Sequence, residues 1–353
     1  MEDNGHNIIV IGTSAGGMQA LEIVLGQLPE DLPAAIFVVQ HLGVQSSADF
    51  LISRMNKHTP LACRIARHGG ALRPGTVYLA PPDQHLLLQK DRMLVVKGPR
   101  ENNFRPSIDP LFRSAAAFHG SRVVGVMLTG LLSDGVAGMD AIRRSGGVVM
   151  VQDPAEAEYP DLPRNVIRQV GADYIVPLAE MGEVLDKVAY LPADPVKTPQ
   201  DIVQEAQIAE RIMTNATMTN IDELNRLGKQ VPYSCPDCGG ALWEISEGRV
   251  DRFRCHSGHA FNDESLIQSM SHSLEETLWV ALRILEERRA ILQTVAEQGK
   301  GLGRWATAQQ ERADEMKMHI DRLREILLPR ETPPGLHIHR SNGKDPDDRK
   351  ASG

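Results

Sequence analysis

Four short runs in the first half of the chain are apolar at almost every position, and stretches with helical periodicity separate them. The runs are Ile8–Ile11, Ala35–Gln40, Val123–Leu128 and Val148–Gln152. A strand that is apolar on both sides must be covered on both faces, and helical connections let such strands pair in parallel. Residues 75–97 interrupt this rhythm and predict antiparallel hairpins inserted in the pattern. The alternation predicts an α/β fold: a doubly wound, mostly parallel sheet in three α/β/α layers.

Shifts in composition divide the 353 residues into five predicted segments. The alternating pattern covers residues 7–191, and a proline-rich stretch opens a linker and helical segment at 192–230. A cysteine cluster, which predicts a zinc ribbon, follows at 231–263. Two amphipathic helices at 264–329 predict a helical hairpin, which either buries its own apolar stripe or presents it to a second copy or a partner. The tail at 330–353 combines prolines and charges and is expected to be disordered.

The charge balance and the lengths of the apolar runs limit the classes of partner. The formal charge of −8 argues against nucleic acid, because binding to phosphates needs a basic surface. No apolar run reaches the roughly 18 residues that a membrane span requires, so no membrane insertion is expected. The acidic N-terminus lacks a signal-peptide pattern, and a cytoplasmic location is expected.

Three chemical groups follow three of the predicted strands. Ser14 lies within Gly12–Gly16, which has the G-x-S-x-G spacing of a nucleophile elbow, while His41 and Asp134 follow the second and third runs. Because functional groups collect at the carboxyl ends of strands in such sheets, we expect the three side chains to meet. Together they would be the nucleophile, base and orienting carboxylate of acyl transfer. Each residue alone also fits a structural role, such as a helix N-cap for Ser14.

The same glycine-rich stretch permits a weaker alternative, in which it cradles the phosphate of a nucleotide. It lacks the G-x-G-x-x-G register, and no acidic residue ends the second strand. Farther along, Asp109 precedes Pro110 and is predicted to cap a helix that begins at the proline.

Several further stretches occur in a fixed order around these residues: IGTSAGG, VVQHL, YLAPPDQHL, FRPSIDPLFRSAA, VGVMLTG followed by DG, and LPRNVI. With these stretches in place, about half of the chain resembles the catalytic domain of the CheB-type chemotaxis methylesterases. The resemblance implies hydrolysis of glutamyl γ-methyl esters on methylated chemoreceptors, with deamidation of receptor glutamines as a side activity and no cofactor for catalysis. It puts the catalytic roles on Ser14, His41 and Asp134, and the backbone amides of an oxyanion hole on Ala15 and Leu131.

Two features depart from the pattern of that family. Familiar members often read T-G-M-G-x-D-G, whereas this chain has Leu131, Leu132 and Ser133 before Asp134, so a glycine is lost and a shifted oxyanion amide is expected to reduce activity. The chain starts directly on the catalytic strand, so we expect the family's N-terminal receiver domain, and activation by phosphorylation in cis, to be missing. An alternative is therefore a weakly active or inactive scaffold that binds a sensory-complex partner through its C-terminal helices.

The late cysteine cluster has the spacing of a metal site. Cys235 and Cys238 form C-x2-C, and Cys255 and His259 form C-x3-H, which together suit a tetrahedral structural Zn²⁺. His256 is the competing fourth ligand, but its side chain points away from that of Cys255 if the segment is extended. A reactive dithiol without metal is the alternative. The ribbon and the helices are expected to localise or regulate the enzyme.

Overall fold

The computed structural model describes residues 5–215, 219–299 and 303–328. Within these ranges, the first nine strands are β1 (Ile8–Thr13), β2 (Ala35–Gln40), β3 (Ala62–Ile65), β4 (Thr76–Leu79), β5 (His85–Leu88), β6 (Met93–Val96), β7 (Val123–Met127), β8 (Val148–Gln152) and β9 (Tyr174–Val176). Seven of them form one sheet in the order β3-β4-β2-β1-β7-β8-β9. Every pairing in this sheet is parallel, which confirms the predicted doubly wound architecture.

Helices cover both faces of the sheet. Side chains alternate along each strand, so Ile8 and Val10 of β1 enter one core cluster while Ile9 and Ile11 enter the other. All four are buried, and burial of an apolar side chain of this size contributes about 1.5–3 kcal/mol. One face is covered by α1 (Gly17–Leu25), α2 (Ala48–Met55) and α6 (Leu178–Ala189), and the other by α3 (Ile108–His119), α4 (Val136–Arg144) and α5 (Asp161–Gln169).

The prediction of antiparallel hairpins within 75–97 was wrong for the first half of that segment. Only β5 and β6 pair antiparallel. The preceding strand β4 joins the main sheet, parallel to both β2 and β3. All four residues of β4 are buried, as expected for a strand covered on both faces. A run of four residues is too short for its periodicity to distinguish the two arrangements.

After the main sheet, the chain builds further elements into the same compact unit, which extends to Ser271. They are α7 (Gln200–Asn215), α8 (Ile221–Leu227), the four strands β10 (Lys229–Ser234), β11 (Ala241–Ile245), β12 (Arg252–Cys255) and β13 (Ala260–Asn262), and the start of α9 (Asp263–Gln298). The four strands form an antiparallel sheet, which we call the ribbon. Helix α7 packs Ala209 and Met213 against Leu87 and Leu94 of the β5–β6 hairpin.

A second unit starts at His272 and contains the rest of α9 and α10 (Arg304–Leu327). Leu282 and Ile320 are buried and Arg324 pairs with Glu286, whereas Leu274 is 59% exposed. The hairpin thus buries part of its apolar surface, and its use for dimerisation or docking stays a prediction. No helix in the described ranges combines the length and hydropathy of a membrane span. The tail predicted to be disordered, 330–353, lies outside the described residues.

Candidate active site

The strand order brings Ser14, His41 and Asp134 to one place. Ser14 follows β1, His41 follows β2, and Asp134 lies in the loop after β7. Strand β1 lies between β2 and β7, at the point where the strand order reverses and doubly wound sheets open a crevice. His41 Nδ1 lies 3.0 Å from Ser14 Oγ, and His41 Nε2 lies 2.7 Å from Asp134 Oδ2. The structure therefore joins the three residues in one hydrogen-bonded chain.

The partners of His41 determine which ring nitrogen carries the proton. A carboxylate only accepts, so Nε2–H donates to Asp134 and Nδ1 is free to accept the hydroxyl proton of Ser14. In the trypsin-type triad the other nitrogen faces the serine, but either one can take its proton. The imidazole also stacks on Phe104, with ring centroids 3.6 Å apart and planes 9° apart. These contacts hold the ring in the orientation that a general base needs.

Asp134 is a buried carboxylate surrounded by hydrogen-bond donors. Its Oδ2 also accepts the Ile108 N–H at 2.7 Å, and its Oδ1 accepts from Asn102 Nδ2 and Ser107 Oγ, each at 2.8 Å. Ile108 is the first residue of α3, so the positive end of that helix favours the negative charge. Burial alone raises the pKa of Asp134, but the hydrogen bonds from His41 and these donors outweigh it and hold the pKa below its usual range. The carboxylate is therefore kept anionic.

A second buried carboxylate, Asp109, lies beside the first. The prediction that it caps a helix starting at Pro110 was wrong, because α3 begins two residues earlier with Ser107 as its N-cap. Proline is tolerated there because the first four N–H groups of a helix have no partner within it. The carboxylate of Asp109 instead accepts the Gly138 N–H at 2.6 Å and Asn102 Nδ2 at 2.7 Å. Burial, and then the charge of Asp134, raise the pKa of Asp109 to about 7.

The loops that follow β1 and β7 approach each other closely beside Ser14. The Ser14 N–H donates to the Thr129 carbonyl at 3.0 Å. A Cβ on Gly130 would lie 2.6 Å from the Cβ of Ser14, so glycine is required for this approach. Across the described ranges, the N–H groups of Ala15 and Leu131 donate to no acceptor. Both amides are thus available to a ligand at the site.

The leucine that replaces the family's glycine keeps a backbone conformation that favours glycine. Leu132 has φ 68°, in the left-handed region. Asn165 Nδ2 donates to the Leu132 carbonyl at 2.9 Å and stabilises this conformation. The loop therefore turns as a glycine would allow, at a conformational cost of about 1–2 kcal/mol.

The ribbon brings the four predicted metal ligands together. The Sγ atoms of Cys235, Cys238 and Cys255 and a ring nitrogen of His259 all lie within 4.8 Å of one another. The sulfurs of Cys238 and Cys255 are 3.7 Å apart, close to the separation of about 3.8 Å that follows from tetrahedral geometry and Zn–S bonds of about 2.3 Å. His256 is not part of this group. The donor set therefore fits a metal ion, with one imidazole and three sulfur ligands.

The site joins a serine hydroxyl, an imidazole and a buried carboxylate in one hydrogen-bonded chain, at the switch point of a parallel sheet. This arrangement is of the serine-hydrolase type. The sequence profile of the family described as CheB methylesterase matches residues 9–185. The chain belongs to this family, which confirms the resemblance found in the sequence.

Individual relatives agree with this assignment. A protein of Leptospira interrogans, provisionally named protein-glutamate methylesterase/protein-glutamine glutaminase, is 37% identical over 180 residues, covering 51% of this chain and 93% of that protein. Protein-glutamate methylesterase/protein-glutamine glutaminase 3 of Burkholderia lata is 40% identical, over 50% of this chain and 49% of its own length. The crystal structure of the Thermotoga maritima CheB methylesterase catalytic domain superposes with a TM-score of 0.50 and 34% identity, covering 51% of this chain and 97% of that domain.

Sequence reasoning missed several residues that surround the site. Asn102, Ser107 and Phe104 contact Asp134 or His41 directly. Phe104 and Ser107 lie in the FRPSIDPLFRSAA stretch that carries the resemblance, but the stretch assigned them no role, and Asn102 lies outside it. One signal was present, because adjacent asparagines often mark left-handed backbone, and Asn102 and Asn103 have φ 50° and 71°. That signal predicts a turn but not the partner of its side chain.

Proposed function

We propose that this protein is a protein-glutamate methylesterase that hydrolyses glutamyl γ-methyl esters on methylated chemoreceptors. Ser14 is the nucleophile, His41 the general base and then acid, and Asp134 the group that orients His41. The observation that carries this proposal is the continuous chain of hydrogen bonds, 3.0 Å from Ser14 to His41 and 2.7 Å from His41 to Asp134. Membership of the CheB methylesterase family and the names of the relatives support the substrate class.

The reaction follows from this geometry. Ser14 Oγ attacks the ester carbonyl carbon while its proton passes to His41 Nδ1, and the N–H groups of Ala15 and Leu131 bind the oxyanion. Collapse of the intermediate expels methoxide, which takes the proton from His41 and leaves as methanol. Water then attacks the acyl-enzyme with His41 as base, which releases the glutamate carboxylate and restores Ser14. Asp134 remains ionised and stabilises the imidazolium in both halves.

The same site accommodates a second leaving group. A glutamine side chain presents the same carbonyl with ammonia in place of methanol, and His41 would protonate that nitrogen as it leaves. The relatives' shared name, protein-glutamine glutaminase, supports this side activity. We therefore extend the proposal to deamidation of receptor glutamines, with no cofactor in either reaction.

For the ribbon we propose a structural Zn²⁺ held by Cys235, Cys238, Cys255 and His259. The four protein ligands fill a tetrahedral shell and leave no open position for a substrate, so the ion would stabilise the fold and take no part in hydrolysis. Three expectations stay predictions: the docking of a sensory-complex partner through the C-terminal helices, the boundaries of the five segments, and the cytoplasmic location.

Methanol release from a methylated receptor tests the proposal. The wild-type protein should release methanol, and Ser14→Ala should reduce release to the background rate. Ser46→Ala, in the loop after His41, is the matched serine control and should keep the wild-type rate. Equal release by Ser14→Ala and the wild type would reject the assignment. No release by wild-type protein from any methylated receptor of the same cell would favour the scaffold alternative.

A further inference from the structure

We propose that the ribbon and the start of α9 position the active-site aspartate, and that Asn102 is the positioning residue through which they act. The inference rests on the proposed function, since it works through Asp134. It adds a role for the C-terminal part of the chain, which lies beyond the family's match at residues 9–185.

Asn102 has both of its amide donors directed at carboxylates. One side-chain N–H donates to Asp134 Oδ1 at 2.8 Å and the other to Asp109 Oδ2 at 2.7 Å. The side chain is buried, and so are both carboxylates. A buried carboxylate that loses a donor becomes costly to keep ionised and in place. The orientation of this one amide therefore affects the orientation of Asp134.

The C-terminal part of the chain fixes the other end of the same amide. Asn102 Oδ1 accepts the backbone N–H of Asn262 at 2.9 Å and the hydroxyl of Ser265 at 3.0 Å. Two donors and two acceptor positions are all that a primary amide offers, so the side chain is fully satisfied. If Asn102 turned over, its NH₂ group would face the backbone N–H of Asn262, and its oxygen would face two carboxylates. The extension thus permits only the orientation that donates to Asp134.

The two donors from the extension are themselves held rigidly. Asn262 is the N-cap of α9, because its Oδ1 accepts the Ser265 N–H at 2.9 Å. The Asn262 N–H is shared between Asn102 Oδ1 at 2.9 Å and the Ser265 hydroxyl oxygen at 3.0 Å. This reciprocal pair is a form of capping box, which stabilises the first turn of a helix. Asn262 Nδ2 also donates at 3.1 Å to the carbonyl of Ser133, the residue before Asp134. The start of α9 is therefore connected to Asp134 in two ways, through the side chain of Asn102 and through the Ser133 carbonyl in the loop that carries Asp134.

Buried charged side chains also connect α3 to the ribbon, at Glu101, the residue before Asn102. Glu101 accepts from Arg113 of α3 and from Arg254 of the ribbon, each at 2.8 Å, and all three side chains are at most 5% exposed. The Asn102 N–H donates to the Ala260 carbonyl of β13 at 2.8 Å. Removing one member of a buried ion pair is strongly destabilising, so the ribbon is firmly attached at this point.

A rate measurement on Ser14 itself tests the inference without a receptor. The probe is an alkyl fluorophosphonate, and the readout is its rate of attachment to Ser14, followed by peptide mass. Ser265→Ala removes one of the two donors to Asn102 and should slow labelling about 3- to 10-fold. Ser271→Ala, the matched control, loses a hydroxyl that, within the described ranges, bonds only to the Ile267 carbonyl, and it should label at the wild-type rate.

Asn102→Gly removes the whole amide and keeps the left-handed backbone, which glycine adopts freely. Labelling should slow about 10- to 100-fold, the range that is found when a group that orients a metal ligand is removed. A spectroscopic signature separates positioning from general loosening. We expect a sharp downfield proton resonance for His41 Nε2–H while Asp134 accepts it. This resonance should broaden in Asn102→Gly and Ser265→Ala but not in Ser271→Ala, with unfolding temperatures measured for all three.

The outcomes separate failure of this inference from failure of the proposed function. The inference alone would be overturned if wild-type Ser14 is labelled in a reaction that needs His41, while the labelling rates of Ser265→Ala and Asn102→Gly stay within about twofold of the wild-type rate. Absence of any labelling at wild-type Ser14 would contradict the proposed function, and with it the inference that rests on it. We expect Ser265→Ala and Asn102→Gly to label more slowly and to show a broadened resonance. Ser271→Ala should label at the wild-type rate.

Discussion

Replacing Asp134 by asparagine tests how the buried carboxylate acts. The substitution preserves shape but exchanges one acceptor oxygen for an NH₂ group. If that group takes the Oδ2 position, it faces the N–H of Ile108 and Nε2–H of His41. If it takes the Oδ1 position, it faces the NH₂ of Asn102. At least one donor–donor conflict therefore remains in either orientation, two at the Oδ2 position and one with Asn102 at the Oδ1 position.

His41 can relieve the first conflict only by changing tautomer, and that change has a catalytic cost. With Nε2 unprotonated, the proton moves to Nδ1, which points at the Ser14 hydroxyl at 3.0 Å and can no longer accept from it. The corresponding substitution in trypsin-type enzymes lowers kcat by about 10⁴-fold, which is about 5.4 kcal/mol at 1.36 kcal/mol per tenfold. We expect kcat to fall by up to this factor for Asp134→Asn, because the other orientation keeps the tautomer of His41 but still removes the charge that stabilises its imidazolium. KM should change little, because no substrate contact is removed.

Steady-state methanol release, with kcat and KM determined separately, is the assay. Ser107→Ala, which removes one neutral donor from the same carboxylate, is the graded control and should lose about 2- to 10-fold. A titration provides a second readout, because the charge of Asp134 helps to raise the pKa of Asp109 to about 7. In Asp134→Asn the pKa of Asp109 should fall. A kcat within tenfold of wild type, or an unchanged Asp109 titration, would refute the reasoning.

Four further predictions concern the surroundings of the site. Leu132→Gly should raise the free energy of unfolding by up to about 1 kcal/mol, because the left-handed conformation no longer strains a side chain; urea unfolding that shows a decrease would contradict this. Gly130→Ala should abolish Ser14 labelling, since its Cβ would lie 2.6 Å from that of Ser14; a normally labelled, folded variant would count against the close approach. Burial raises the pKa of Glu101, but Arg113 and Arg254 outweigh it and lower the pKa to about 2. About 3 kcal/mol of folding stability should therefore be present above pH 4.5 and be lost as the pH falls towards 2. Urea unfolding of Glu101→Gln at a series of pH values should lack this contribution. Metal analysis should find about one zinc per chain, and chelation or Cys255→Ser should lower the unfolding temperature; less than half an equivalent would argue against the metal.

The parts of the fold that sequence predicts well are those where one physical requirement dominates. Strands β1, β2, β7 and β8 are buried on both faces, and their uninterrupted apolar runs could come from little else. Strand β4 meets the same requirement, but four residues between turns gave too short a pattern. Long parallel strands therefore leave a clear signal, and short ones do not.

The same contrast holds at the site. Ser14, His41 and Asp134 each follow a strand, so topology alone brings them to one edge of the sheet. Asn102 and Ser265 are 163 residues apart, and their contact depends on how the ribbon packs against the main domain. No local pattern encodes such a contact. The N-cap of α9 was detectable in principle, because Asn262 is followed three residues later by a residue that completes the box.

The most direct test of the account is to locate the covalent adduct formed when an alkyl fluorophosphonate reacts with the full chain. Peptide mapping should find one adduct on Ser14 in the wild type, and His41→Ala should form it at a small fraction of that rate. The measurement needs neither a receptor nor knowledge of the pathway. An adduct on another residue, or equal modification of Ser14 with and without His41, would contradict the assignment of a serine nucleophile activated by that histidine.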